Sequence, residues 1–478
     1  MQGKKLLSFY QKQKKITELR SLLPQLFVDD KLDVQKLKIY LGKEHYQEES
    51  NYALTWFGKG NSIPQAGDYE EIKLVFDKVK SLRPKTTRNK LIEGDNLDVL
   101  CLLQKEYVGK IKLIYIDPPY NTGNDFAYND RFKISQNQYL DFLNDSGIER
   151  VDSSLKNQIE SGEIHTNWLN MIYPRIVLAK QLLTADGTIA ISIDESEKAN
   201  VQVICNEVFG EDNFVGCFVW VNRSNSSLTS NLFATNHEYI LLYAKDAKKV
   251  KLKGEGKDLS NYSNPDCDPK GDWISDNPSA ASGNSNSRFT IINPFTKEEY
   301  LPPVGRYWAF SENRVQEWFA SGKLIFPKEK GKRFLLKKYK SELKSLYNSI
   351  SSIITDIPTS KGTRELKDLY AEGLPFKYPK PTDLLLLLLE QLSEAEDIIL
   401  DLFAGSASMA HAIFKGNEKQ TFNRSFICTQ NIELVKEDSD AFRMGFSTIS
   451  DLARDRIIRA GKLYPKVDTG FRFYKVEK

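Results

Sequence analysis

Two apolar runs, each ending in an aspartate and a short turn, constrain the fold of this 478-residue chain more than any other feature. The first is Leu113-Ile-Tyr-Ile-Asp-Pro-Pro-Tyr-Asn-Thr-Gly123; the second is Ile398-Ile-Leu-Asp-Leu-Phe-Ala-Gly-Ser-Ala-Ser408. Short continuous apolar runs without polar alternation read as strands buried on both faces, as in parallel sheets. The second run passes through small residues into Met409-Ala-His-Ala-Ile-Phe414, which reads as a helix. Strand, tight turn and helix start make a Rossmann-like nucleotide site, where small residues let the backbone approach a ligand. Between the two runs, strands are expected at 111–117, 187–193, 214–221 and 237–244, with helices at 168–183 and 197–209. This alternation predicts an α/β fold with a doubly wound, mainly parallel sheet. Ligands in such sheets sit beyond the carboxyl ends of the strands, so Asp117 and Gly405 are expected to face one crevice.

The Asp117-Pro118-Pro119-Tyr120 loop suits a demanding reaction. An exocyclic amine on a nucleobase is a poor nucleophile because its lone pair is delocalised into the ring. Two hydrogen-bond acceptors aimed at its two protons favour a tetrahedral nitrogen. The Asp117 carboxylate supplies one and the Pro118 carbonyl the other, held by a stiff Pro-Pro unit that has no N–H to satisfy. A base swung out of a duplex loses its stacking, and Tyr120 offers an aromatic face in exchange. Taken alone, Pro-Pro after a strand is only a rigid loop. A preceding buried strand and a following Asn-Thr-Gly turn favour the chemical reading. The Phe-x-Gly of the second loop lacks the spacing of a dinucleotide fingerprint and suits S-adenosylmethionine better than a pyrophosphate.

The chain resembles the β-class amino-methyltransferases, in which the catalytic loop precedes the cofactor loop, and specifically the modification subunits of type III restriction-modification systems. The resemblance rests on several segments: Asn51-Tyr-Ala-Leu-Thr-Trp-Phe-Gly-Lys59, Leu91-Ile-Glu-Gly-Asp-Asn-Leu-Asp-Val-Leu100, Asp117-Pro-Pro-Tyr-Asn-Thr-Gly-Asn-Asp-Phe126 and Trp168-Leu-Asn-Met-Ile-Tyr-Pro-Arg175. It continues through Asp186-Gly-Thr-Ile-Ala-Ile-Ser-Ile-Asp-Glu195, Val208-Phe-Gly-Glu-Asp-Asn-Phe214, Tyr378-Pro-Lys-Pro381, the second loop and Gly470-Phe-Arg-Phe-Tyr474. It implies an adenine-N6 DNA methyltransferase that uses S-adenosylmethionine and requires no metal for methyl transfer. An aspartate at 117 favours adenine, since related cytosine-amino enzymes more often begin the loop with serine.

By the same resemblance, Asp117, Pro118, Pro119 and Tyr120 are catalytic. Asp95, Asp117, Asp401, Phe403, Ala404, Gly405, Ser406 and Glu433 bind the cofactor, Asp95 near its adenine and Glu433 at its ribose. For Asp95 and Glu433 the plainer reading is solvated charge at a strand end. Asn124 and Phe126, together with Lys332, Arg333, Lys337 and Lys338, are expected to contact DNA. One departure stands out: the family usually has a second glycine where this chain has Ala407, and a Cβ there opposes a positive φ. Lys380 and Pro381 match the segment leading into the cofactor strand. Implied partners are double-stranded DNA, a second copy of the chain and a restriction subunit. Many members continue beyond the Gly-Phe-Arg-Phe-Tyr segment, where this chain soon stops.

Composition bounds the rest. With 67 Lys and Arg against 64 Asp and Glu, the chain is no polycation, so DNA affinity must come from local clusters. The densest cluster is Lys328, Lys330, Lys332, Arg333, Lys337, Lys338, Lys340 and Lys344, which reads either as a solvated helix face or as a DNA contact. Five scattered cysteines and four histidines without metal-ligand spacing point to a reduced, cytoplasmic chain with neither disulfides nor structural zinc. No signal-peptide pattern follows the basic start, and Leu384–Leu389 reads as a buried helix capped by Thr382 or Asp383. The expected layout is a helical region at 1–88, one half of the catalytic core at 89–245, a Ser/Asn/Gly-rich target-recognition insertion at 246–372, and the cofactor half at 373–478.

Other functions fit the sequence less well. A self-contained helicase-nuclease would want a P-loop, which the sequence lacks, and Asp266 and Asp268 lie in one polar turn, unlike a metal-nuclease site. A DNA-binding relative without catalysis is disfavoured by the intact Asp-Pro-Pro-Tyr. An RNA methyltransferase is the remaining alternative, since a flipped adenine looks alike in either nucleic acid.

Overall fold

The computed structural model describes residues 9–28, 31–32, 37, 54–63, 71–122, 156–223 and 234–478. The chain divides into two compact units, one made of Met1–Leu252 and Ser351–Lys478, the other of Lys253–Ile350.

The first unit is built on a ten-stranded sheet. In chain order its strands are β1 (Lys73–Leu82), β2 (Lys90–Glu93), β3 (Ile111–Ile116), β4 (Leu183–Ile193), β5 (Phe214–Val221), β6 (His237–Ala244), β7 (Ile353–Ile354), β8 (Ile398–Asp401), β9 (Ser425–Gln430) and β10 (Phe471–Glu477). Across the sheet they run β7-β5-β6-β4-β3-β8-β9-β2-β10-β1. The stretch from β4 to β10 is parallel, whereas β6 is antiparallel to both neighbours and β1 is antiparallel to β10. Chain order breaks between β3 and β8, where everything from 117 to 397 intervenes between adjacent strands. This is the switch point at which a doubly wound sheet opens a crevice.

Helices pack against the sheet: α1 (Asn96–Leu103), α2 (Lys156–Leu182), α3 (Lys198–Phe209), α4 (Thr359–Leu369), α5 (Thr382–Leu392), α6 (Ser408–Gln420) and α7 (Ile449–Gly461). The central strands are buried almost throughout, which is why their sequences read as unbroken Ile, Leu and Tyr. Ile114, Ile116, Trp168, Ile172, Ile191, Leu400 and Ile427 belong to one core.

Four expectations are corrected. Residues 73–82, placed in a helical region, form the edge strand β1; its burial alternates poorly, so the strand is specified by its long-range pairing with β10 rather than by a local pattern. The inserted unit is shorter than composition suggested. Residues 351–372 belong to the first unit, where Ile353 and Ile354 pair with Val219 and Trp220 of β5 and α4 follows. The cap of α5 is neither Thr382 nor Asp383: Glu365 takes the Thr382 amide at 2.9 Å and its hydroxyl at 2.7 Å, and Asp383 pairs with Lys361 and Lys415. The basic run is not a helix face, since Leu335–Tyr339 is a strand of the inserted unit. That unit has its own core of Ile291, Trp308, Phe310, Leu324, Phe326, Phe334 and Leu336.

Candidate active site

The 117–120 loop is fixed at both ends. Upstream it continues β3 directly. Downstream, Asn121 takes φ 62°, a left-handed conformation that asparagine tolerates better than most residues. Its side-chain amide donates to Glu197 Oε1 at 2.5 Å, and the buried Glu197 also meets His165 Nδ1 at 2.5 Å and Asn200 Nδ2 at 2.7 Å. In the middle, Trp168 Nε1 of α2 donates to the Pro119 carbonyl at 2.7 Å. Asp117, Pro118 and Tyr120 are thus presented by a turn whose neighbours are already committed.

A four-residue polar network surrounds Asp117. Lys380 Nζ lies 3.1 Å from Asp117 Oδ1 and 3.1 Å from Glu238 Oε2, and donates to Tyr120 Oη at 2.6 Å. The Tyr120 hydroxyl lies 3.1 Å from Asp117 Oδ1 and 2.9 Å from Glu238 Oε2, with one proton to give. Asn222 Nδ2 holds the other Glu238 oxygen at 2.7 Å. The ammonium is 4.8 Å from the Tyr120 ring centroid, so it sits at the ring's polar edge rather than over a face. Burial raises the Asp117 pKa, opposed by Lys380 and assisted by Glu238. For Glu238 burial acts in the same direction, but Lys380, Tyr120 and Asn222 outweigh it and the pKa falls below the usual carboxylate range. Burial also acts against the Lys380 charge, yet the two carboxylates hold its pKa above normal.

The second loop is held as tightly. Asp401 ends β8 opposite Tyr115 of β3, and the Leu402 amide donates to the Tyr115 carbonyl at 3.1 Å, so the two loops leave neighbouring strands side by side. Thr429 of β9 donates its hydroxyl to the Leu402 carbonyl at 2.7 Å and its own carbonyl accepts from the Ala404 amide at 3.0 Å. Gly405, at φ 52°, donates its amide to Gln430 Oε1 at 2.7 Å. A Cβ at Gly405 would stand 3.3 Å from Phe376 Cζ. Arg456 Nη1 of α7 reaches Ser406 Oγ and Ser408 Oγ, each at 2.7 Å. Ala407 adopts φ 61°, ψ 41° with its methyl fully buried, the conformation that favours glycine. Burial, then the Asp117 charge, pushes the Asp401 carboxyl up to about 8, and its Oδ1 has no hydrogen-bond partner among the described residues.

The remaining expected residues fare differently. Asp95 is not a solvated charge: it caps α1, accepting from the Leu97 amide at 2.7 Å, and pairs with the buried Arg175 at 3.3 Å. Arg175 also bonds Asn96, whose side chain donates to the Leu402 carbonyl at 3.2 Å, which ties Asp95 to the second loop. Glu433 is exposed after β9, its carbonyl accepting from the Ile449 amide. Phe403, Ala404 and Ser406 are buried in the loop. Asn124 and Phe126 lie outside the described residues. In the inserted unit, Lys332 and Arg333 are exposed, and Lys332 pairs with Glu329 at 2.7 Å. Lys338 lies 3.9 Å from Asp276. Lys337 differs from its neighbours: only 3% exposed, it is clamped by Asp266 and Asp268 at 2.5 Å each, which makes it an internal cross-link and not a phosphate contact. The same pairing explains the acidic turn around Asp266 without a metal site.

Sequence reasoning missed Glu238, Gln430, Phe376 and Arg456, and left the ligand role of Lys380 open. A signal existed for Glu238, a lone acid within the otherwise apolar His237-Glu-Tyr-Ile-Leu-Leu-Tyr-Ala244.

Comparison with known proteins agrees with this geometry. A family described as DNA methylase matches residues 111–437. The chain is 32% identical to the type III restriction-modification enzyme EcoP15I Mod subunit of Escherichia coli, over 97% of this chain and 77% of that protein. It is 30% identical to the StyLTI Mod subunit of Salmonella typhimurium, covering 96% of this chain and 73% of the relative. It is also 30% identical to the EcoPI Mod subunit of Escherichia phage P1, over 93% of this chain and 74% of the relative.

Proposed function

From the premise that the chain belongs to the DNA methylase family, within its type III modification subunits, we propose that the 117–120 and 401–407 loops form one active site that methylates adenine N6 in DNA. The observation that supports the site assignment is the adjacency of β3 and β8, from whose ends the Asp117 turn and the Asp401–Ala407 turn leave side by side.

The cofactor is S-adenosylmethionine, and the residues present fit it. Asp401 keeps an unpartnered, buried oxygen at the strand end, Gly405 leaves open the space a Cβ would take from Phe376, and Asp117 supplies negative charge toward a cationic donor. Phe403, Ala404, Gly405 and Ser406 would hold it, with Asp95 and Glu433 at its periphery. When bound, S-adenosylmethionine supplies an electrophilic methyl group.

The chain's own residues prepare the nucleophile. Asp117 and the Pro118 carbonyl accept the two N6 protons and favour a tetrahedral nitrogen, on a turn whose backbone Trp168 and Asn121 already hold. Tyr120 flanks the extruded base. After methyl transfer the nitrogen sheds one proton, for which the Asp117 carboxylate is the nearest acceptor.

DNA is the substrate. The exposed Lys332 and Arg333, with Asn124 and Phe126, are the assigned DNA contacts, and Lys253–Ile350 is the target-recognition unit. A restriction subunit is the proposed cleavage partner, a second copy of the chain the proposed modification partner, and the cytoplasm the proposed compartment. Among the described residues no helix is long and apolar enough to cross a membrane.

The test is to express the chain in a host lacking adenine methylation, map N6-methyladenine across its genome, and transfer labelled methyl to a duplex carrying the mapped site. Asp117→Ala should abolish transfer while the protein still binds S-adenosylmethionine. Transfer that persists in this variant, or an unmodified genome with the soluble wild-type chain present, refutes the assignment.

A further inference from the structure

Lys380 is placed where the substrate's amine has business. Its ammonium donates to Tyr120 Oη at 2.6 Å and Glu238 Oε2 at 3.1 Å, and it is ion-paired with Asp117 Oδ1 at 3.1 Å. The proposed function requires Asp117 to accept from the adenine amine. In this structure that carboxylate is already ion-paired with a nitrogen carrying a full positive charge, which competes for it more strongly than a neutral amine. Even if the amine approached the other Asp117 oxygen, a carboxylate neutralised by an adjacent ammonium would polarise it poorly.

Removing the ammonium altogether is unfavourable, because its surroundings are buried and a stranded charge is costly. Glu238 resolves the conflict. It is the second carboxylate within reach of Nζ, anchored by Asn222 on its other oxygen, and it reaches the network from β6, outside the catalytic loop. An ammonium that leaves Asp117 therefore keeps one carboxylate and the Tyr120 hydroxyl, and the buried charge stays compensated.

We propose that Lys380 is a placeholder for the target amine, occupying Asp117 until an extruded base offers an exocyclic amino group, and that Glu238 retains the displaced ammonium. Amine recognition is then an exchange of donors at Asp117. A base lacking an amino group at that position leaves Lys380 in place. Both Lys380 and Glu238 are positioning residues, acting on the base through Asp117. This inference rests on the proposed function and deepens it by naming what controls access to the acceptor.

The test compares two duplexes carrying the mapped site, one with adenine at the target and one with unsubstituted purine, which lacks the amine. Affinity for each is measured in alkaline buffer with S-adenosylhomocysteine, and the readout is the adenine-over-purine preference. Lys380→Met should raise that preference about tenfold, because the amine no longer competes with a resident cation. Glu238→Gln should lower it toward unity, because among the described residues the ammonium then has Asp117 as its only carboxylate. The double variant, which removes one charge of each sign and guards against misfolding of the single lysine variant, should follow Lys380→Met. A merely structural network would shift both duplexes equally and leave the preference constant. A preference that Lys380→Met and the double variant fail to raise, or that Glu238→Gln increases, overturns the inference while wild-type methyl transfer to the adenine duplex keeps the proposed function standing.

Discussion

Trp168 Nε1 donates to the Pro119 carbonyl at 2.7 Å, so a fully buried indole from α2 decides which of the two proline carbonyls is engaged. In the proposed site the Pro118 carbonyl then remains for the substrate. Trp168→Phe keeps the aromatic packing and deletes the donor, freeing the Pro-Pro unit to rock. Expected is a kcat about ten- to a hundredfold lower, since small displacements of a reacting group cost rate steeply, with an unaltered dissociation constant for S-adenosylmethionine. Steady-state kinetics alongside calorimetric titration check this; a changed cofactor affinity with intact kcat would place the role of Trp168 elsewhere.

Ala407 sits at φ 61° with its methyl buried. The left-handed conformation costs a non-glycine residue roughly 1–2 kcal/mol, and glycine's extra unfolded-state entropy returns roughly 0.5–1 kcal/mol of that. Ala407→Gly should therefore stabilise the chain by about 0–1.5 kcal/mol, measured by denaturant unfolding, with cofactor binding equal or tighter. A clear loss of stability would mean that the buried methyl outweighs the backbone strain.

Gln430 Oε1 is the acceptor for the Gly405 amide. Gln430→Ala strands a partly buried N–H in the middle of the cofactor loop, a loss on the order of 1–3 kcal/mol. S-adenosylmethionine should bind about five- to 150-fold more weakly, while DNA retention in gel-shift experiments is unaffected. Equal cofactor affinity in the variant would show that the loop is held without this bond.

The two aspartates give pH dependences in different observables. Asp117 must be ionised to accept from the amine, and burial raises its pKa, so activity should fall as pH drops through a value above the ordinary carboxylate range, measured as a pH–rate profile. Asp401 concerns stability. Its carboxyl is raised to about 8 in the folded chain against roughly 4 unfolded, so between those values the native state binds the extra proton. Its contribution is complete below the unfolded pKa and is lost as pH climbs through the folded one. Asp401→Asn should flatten the decline of melting temperature across that window; an unchanged slope refutes the assignment.

The conformation of the 117–120 turn was legible because everything that defines it is local: a buried strand, two prolines, and an asparagine suited to a left-handed turn. The 401–407 turn was legible for the same reason, including the left-handed backbone at Ala407. Glu238 was not, because its arrival at Asp117 depends on β6 running antiparallel beside β4, and no local pattern announces that register. Lys337 misled in the opposite way. Counting positive charges treats sequence neighbours as sharing one face, whereas in the strand Leu335–Tyr339 the exposed Lys338 sits beside a lysine turned inward onto Asp266 and Asp268. β1 escaped notice since its partner, β10, lies almost four hundred residues downstream.

The pairing of β3 with β8 also sets a timetable for biosynthesis. A ribosome finishes the amine-gripping turn early and must translate the whole stretch from 117 to 397 before the neighbouring strand emerges. Until then the nascent chain holds one turn of the proposed site without the other. On that proposal, a product truncated before residue 398 is expected to transfer no methyl group.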